Sequence, residues 1–246
     1  MVITIFAFVF LFLTTALGAA CVWLFKDKIS DGVSALIFGF SSGVMLAALI
    51  WSLLLPSIRQ SSVFSAATGL MLGGGFLIAL DKATDKDRGA ALGGQKLSRL
   101  FWAMTLHNIP EGLAVGFAFG AAYALQTTAA YAAALGVALG IGIQNIPEGA
   151  ALALPAKEAF KNRKKAFALS AASGATEPFF AVVGFFLAAW LRFLQPWFLS
   201  FAAGAMLFVV ACDLIPDSKL ESRPLLGGAG VIVGFALMMI LDVAVG

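Results

Sequence analysis

The sequence predicts an all-α integral membrane protein of eight transmembrane helices arranged as an inverted repeat, and three observations carry that reading. Of the 246 residues, 61% are hydrophobic and 12% charged, with a mean hydropathy of +0.97, well above the ~45–50% apolar content of a soluble domain. Apolar windows of about 20 residues, enough to cross ~30 Å of hydrocarbon at ~1.5 Å per residue, recur eight times. At a constant offset of 161, residues 40–83 align with 201–244, and Phe40, Gly43, Met45, Leu53, Gly69, Gly73 and Asp81 meet Phe201, Gly204, Met206, Leu214, Gly230, Gly234 and Asp242.

The first window, about residues 2–25, lacks a basic leader and is too long for the core of a signal peptide, so it reads as a retained helix. Windows follow at about 33–56 and 64–80. A charged connection over 81–99 carries Lys82, Lys86, Arg88, Lys96 and Arg99. The fourth and fifth windows, about 100–123 and 127–155, are joined by the uncharged turn Leu125-Gln126-Thr127. The basic run Lys157, Lys161, Arg163, Lys164 and Lys165 leads into 166–191, and windows at 197–216 and 225–245 complete a single transmembrane domain, 1–246.

Eight spans sort the charges cleanly. Fourteen of the sixteen Lys and Arg fall in the connections 1–2, 3–4, 5–6 and 7–8, while the opposite side holds only Arg59 and Arg192. By the positive-inside rule the basic connections are cytoplasmic and both termini extracytoplasmic, which for a bacterial chain means the inner membrane. The spans related by the 161-residue offset then cross the bilayer in opposite senses, hence the inverted repeat. The same clusters account for a pI near 9.0 without nucleic acid as a partner; the partner they imply is the lipid surface. Cys21 and Cys212 show neither metal nor redox spacing and read as small apolar residues.

The chemistry lies in two hexads 37 positions apart, His107-Asn108-Ile109-Pro110-Glu111-Gly112 and Gln144-Asn145-Ile146-Pro147-Glu148-Gly149. On a helix His107, Asn108 and Glu111 share one face, as do Gln144, Asn145 and Glu148. Pro110 and Pro147 cannot bond the carbonyls of Leu106 and Ile143, which predicts a bend in each helix. Gly112 and Gly149 keep the next turn slim enough for a neighbour to approach. The pseudo-two-fold axis implied by the repeat would set the hexads face to face near the midplane.

These paired hexads, with weaker matches such as GATEP in the sixth span, resemble the ZIP (Zrt-, Irt-like) family of divalent metal transporters. The resemblance implies a 3+2+3 helix arrangement, a homodimer, and metal moving into the cytoplasm between spans four and five. It also implies a primary site from His107, Glu111, Gln144 and Glu148 with Met45 alongside, and a second adjacent site from Asn108, Asn145 and Glu177 bridged by the glutamates. Asn145 stands where some relatives carry Asp, and the connection between spans three and four contains no histidine.

Glu111, Glu148 and Glu177 each cost at least ~2.5–3.5 kcal/mol if ionised at membrane depth, and a bound dication offsets that. Imidazole, amide and carboxylate donors suit Zn²⁺ best, with Cd²⁺, Fe²⁺, Mn²⁺ and Co²⁺ also compatible; the ion is substrate, not cofactor. Without a thiolate the site is weak enough to release its cargo. Ser52 lies seven residues, two helical turns, beyond Met45 and could line the outer entrance. Asp242 at the outer end, with Asp213 and Asp217 at the cytoplasmic end, could draw ions along the path. The rival readings are an intramembrane metal-dependent enzyme, disfavoured by the lack of HExxH, and a proton-conducting, channel-like protein that needs no metal.

Overall fold

A computed structural model describes residues 1–25, 29–84 and 94–245; Lys26, Lys28, Lys86 and Arg88 of the expected cytoplasmic connections lie outside them. The described residues form eight helical rods and no strand. They are α1 (Val2–Ala19, extended by a tight turn Ala20–Trp23), α2 (Asp31–Gln60), α3 (Val63–Thr84), α4 (Gln95–Leu125), α5 (Thr128–Phe160), α6 (Arg163–Gly174 continuing as Thr176–Leu191), α7 (Gln195–Asp217) and α8 (Pro224–Val245). Side-chain caps start α2 and α5, where Ser30 accepts from the N–H of Val33 and Thr127 from that of Ala130. The α4–α5 turn is made by Gln126, in the left-handed region at φ 53°.

The charged connection is shorter than the sequence reading placed it, because α3 runs on to Thr84 and α4 begins at Gln95. Seven of the rods are long and apolar enough to cross a membrane, so the chain is a multi-pass membrane protein. The eighth, α4, carries Lys96 and Arg99 as well as the first hexad; its place in the bundle comes from packing. It lies against α6, α5 and α7. Neither proline breaks its helix: α4 is helical throughout Gln95–Leu125 with Pro110 inside, and α5 throughout Thr128–Phe160 with Pro147 inside.

The closest helix pairs are α2 with α8, α3 with α7, α4 with α6 and α1 with α5. Exchanging the two halves of the chain turns α2–α8 into α7–α3 and α1–α5 into α6–α4. The correspondence reaches single atoms. A Cβ at Gly43 would lie 2.1 Å from the carbonyl oxygen of Val231, and one at Gly204 would lie 1.9 Å from that of Leu70; both partners of the second contact are 161 residues from those of the first. Gly73 and Gly234 meet the carbonyls of Phe201 and Phe40 at the same offset. Both α2 and α7 also widen into a π turn, at Leu49–Leu54 and Val210–Leu214, again starting 161 residues apart. Such backbone contact replaces hydrophobic driving force inside a bilayer with close van der Waals packing.

Candidate metal centre

The two hexads face one another. Ligand atoms of His107, Glu111 and Glu148 lie within 4.8 Å of one another, and all three residues are buried. His107 Nε2 is 3.3 Å from Glu148 Oε2, and Gln144 Nε2 donates to Glu111 Oε1 at 2.6 Å. Each helix therefore supplies one carboxylate and one nitrogen-bearing side chain, and each pairing crosses from α4 to α5.

Small residues bring the flanking helices close. A Cβ on Gly112 would sit 2.4 Å from the carbonyl oxygen of Glu177 on α6, and one on Gly149 would sit 2.1 Å from that of Thr15 on α1. The 37-residue spacing of the hexads thus exchanges α6 for α1 as the backing helix. Hydroxyls hold the α5 backbone on either side of Glu148. Ser41 donates to the carbonyl of Pro147 at 3.2 Å and Ser170 to that of Gly149 at 2.9 Å.

The polar residues of the cluster divide by how they are used. Glu111 Oε2, Gln144 Oε1, Asn108 Oδ1 and Asn145 Oδ1 are buried and accept no hydrogen bond. Unpaired buried oxygens of this kind are costly in an apolar interior, and lone pairs clustered beside an imidazole and two carboxylates form a donor set for a borderline dication. Glu177 differs, since Thr15 donates to its Oε1 at 3.2 Å and Asn145 to its Oε2 at 2.6 Å. Asn108 turns towards α6, its amide donating to the carbonyl of Ser173 at 3.4 Å.

Met45 is buried in the main apolar core, as is its repeat mate Met206. Ser52 and Asp242 come together: Ser52 donates to Asp242 Oδ1 at 2.7 Å. The pair lies against Gly140, whose Cβ position would be 3.0 Å from that carboxylate oxygen, one helical turn from Gln144. Asp213 is buried in the π turn of α7, only 2% exposed, so it is not a solvated helix end. Asp217 lines a cavity of about 500 Å³ with Asp31, Glu158, Pro155 and Lys219, where α2 and α4 begin and α5 and α7 end. Lys219 forms an ion pair with Asp31 across its mouth.

Sequence reasoning missed Thr15, Ser41 and Ser170. The signal available was a hydroxyl in an apolar span, but Thr14 and Ser42, adjacent to two of them, bond the carbonyls of Phe10 and Phe38 on their own helices. Position alone does not separate the two uses.

An apolar helical bundle enclosing a buried imidazole and carboxylate cluster defines a multi-pass membrane protein with a candidate cation site at its centre. Comparison with known proteins agrees. A family model described as the ZIP zinc transporter matches residues 79–242, and the chain belongs to the ZIP family. It is 34% identical to the zinc transporter GufA of Myxococcus xanthus, over 94% of each chain. It is 33% identical to the zinc transporter ZIPB of Bordetella bronchiseptica, over 96% of this chain and 79% of that one. With the human zinc transporter ZIP11 it shares 30% identity over 94% of each.

Proposed function

We propose that the chain carries a divalent metal, zinc before others, across the plasma membrane into the cytoplasm through the site between α4 and α5. The observation that carries this reading is the buried cluster of His107, Glu111 and Glu148, joined by Gln144. Charge supports it further, because two buried carboxylates facing each other are mutually repulsive until a cation sits between them. His107 and Gln144 add neutral donors, and the set lacks the thiolates that would retain zinc too tightly for release.

The approach from outside runs by Asp242 and Ser52, one turn of α5 before Gln144. The way out runs by Asp213 into the cavity lined by Asp217, Glu158 and Asp31. The matching helix pairs and π turns support an inverted 3+2+3 arrangement, in which α4 and α5 form the metal-carrying pair and the other six helices form two like halves. That arrangement, both termini outside, and a homodimer belong to this proposal. Compatible alternative cargoes are Cd²⁺, Fe²⁺, Mn²⁺ and Co²⁺.

An enzyme reading would require one group to act as base while others hold the metal. The near-symmetric division of donors between α4 and α5 favours carriage over catalysis. The test is Zn²⁺ uptake into proteoliposomes containing the purified chain. Uptake that is saturable, and lost in Glu111→Ala and Glu148→Ala, is expected. Proton conduction without metal flux would overturn the reading.

A further inference from the structure

We propose that a groove bounded by α3, α4 and α7, beside the first hexad, is a binding site for one acyl chain of a membrane lipid. The groove has a volume of about 310 Å³, and Leu72, Phe76, Ile109, Pro110, Leu113 and Trp197 are among its walls. None of the four cation donors lines it.

Glycine contacts open the gap. The helix α3 is held on α7, where a Cβ at Gly73 would lie 1.9 Å from the carbonyl oxygen of Phe201 and one at Gly204 would lie 1.9 Å from that of Leu70. The helix α4 is held on α6, where Cβ positions at Gly112 and Gly116 would lie 2.4 Å and 2.2 Å from the carbonyl oxygens of Glu177 and Ala181. Close backbone approach thus draws α3 and α4 to different partners, and the groove is the space left between them.

Depth and chemistry select the occupant. Leu72 lies midway along the apolar span Val63–Leu80 and Pro110 midway along Gln95–Leu125, so the groove is at hydrocarbon depth. It opens towards the outside of the bundle, since Leu72, Phe76 and Trp197 are 57%, 43% and 38% exposed. Its walls are aliphatic groups and aromatic rings, with Phe76 against Phe201 and Phe117 stacked behind Phe198. A buried water needs about two to four polar partners, which such walls do not offer, and a void would forfeit the dispersion contacts of every residue lining it. Hydrocarbon is what the bilayer supplies at this depth. The volume equals that of about ten waters at ~30 Å³ each, which suits a similar run of methylene groups from one chain.

The chain would pack the turn of α4 between His107 and Glu111. On α5 the matching turn is tied by protein, since Ser41 of α2 donates to the carbonyl of Pro147 at 3.2 Å. The residue 161 positions on from Ser41 is Ala202, next to Phe201 of the groove wall, and it has no hydroxyl to offer Pro110. Contact with hydrocarbon takes the place of that hydrogen bond.

The test uses the full-length chain in phosphatidylcholine vesicles containing a phosphatidylcholine with a diazirine midway along one acyl chain. After irradiation, adducts are mapped by peptide mass spectrometry. The parent should carry them on Ile109 and Leu113. Leu113 is only 7% exposed, so lipid merely surrounding the protein does not reach it. Leu72→Trp enlarges an exposed wall residue and should lower the α4 adducts several-fold, while those on Phe186 of α6, 70% exposed, stay unchanged. A parent labelled on Phe186 but not on Ile109 or Leu113 would overturn the proposal without any variant having to fold. So would α4 adducts undiminished in Leu72→Trp. A groove free of adducts, together with disulfide-linked dimers of Leu72→Cys in a chain whose Cys21 and Cys212 have been replaced, would overturn it in favour of a second copy covering this face. None of these outcomes bears on the cation site between α4 and α5.

Discussion

At the residue scale, the proposed function concentrates in four side chains from two helices, and their geometry ranks them. Glu148 meets the imidazole of His107 at 3.3 Å, and Glu111 takes the Gln144 amide at 2.6 Å. Removing either carboxylate leaves a cation with half its compensating charge in a buried site, where an unpaired charge costs several kcal/mol. Zinc uptake by Glu111→Ala or Glu148→Ala should therefore fall by more than about a hundredfold, since each ~1.4 kcal/mol is a factor of ten. Gln144→Ala removes a neutral donor and should raise KM by about tenfold or less with kcat nearly unchanged, as measured by initial uptake rates over a range of Zn²⁺. The hexads were legible in the sequence because strongly polar residues at helical spacing in an apolar run have few uses. Thr15, Ser41 and Ser170 were not, because a hydroxyl satisfied by its own helix and one that reaches a neighbour are spelled alike.

At the element scale, α5 is held by contact of backbone with backbone, and glycine is what allows it. A Cβ on Gly149 would stand 2.1 Å from the carbonyl oxygen of Thr15, so any larger residue forces α1 and α5 apart, whereas a Cβ on Gly75 of α3 would meet nothing within 4 Å. Gly149→Leu should destabilise the detergent-solubilised protein by about 1–3 kcal/mol as an overpacked contact. It should also stop uptake, because Glu148 is the preceding residue. Gly75→Ala should leave both melting temperature and uptake unchanged within about 0.5 kcal/mol. Equal losses in both variants would show that helix composition, not the α1–α5 approach, governs the effect. The 161-residue offset makes the pairing of these elements partly readable, since Gly43, Gly73, Gly204 and Gly234 stand in register in the sequence itself. The π turns at Leu49–Leu54 and Val210–Leu214 carried no such mark, because a one-residue widening of a helix leaves hydrophobic periodicity almost unchanged.

At the scale of the whole molecule, the direction of transport depends on which end faces the cytoplasm, and the charge distribution argues for one answer. Among the described residues Lys82, Lys96, Arg99, Lys157, Lys161, Arg163, Lys164, Lys165, Lys219 and Arg223 fall at the end where α2 and α4 begin, against Arg59 and Arg192 at the other. On the positive-inside rule the Asp242–Ser52 pair is then the outer approach, and the acidic cavity of Asp31, Glu158 and Asp217 is the inner exit. Single cysteines test this in a chain whose Cys21 and Cys212 have been replaced. Exposed Ser62, in the α2–α3 turn, should react in intact cells with a membrane-impermeant thiol reagent, and exposed Ser222, in the α7–α8 turn, only after permeabilisation. The same orientation makes a kinetic prediction. Asp242→Asn weakens capture from outside without touching the four ligands, so uptake should show a KM raised several-fold and a kcat close to the parent's, with the defect shrinking as external Zn²⁺ rises. If labelling were reversed, Asp242 would lie on the trans side. The variant would then slow release rather than capture, and kcat would fall while KM held. The two measurements therefore have to agree, and a chain labelled in the expected sense but with an Asp242→Asn defect confined to kcat would place the outer approach elsewhere in the bundle.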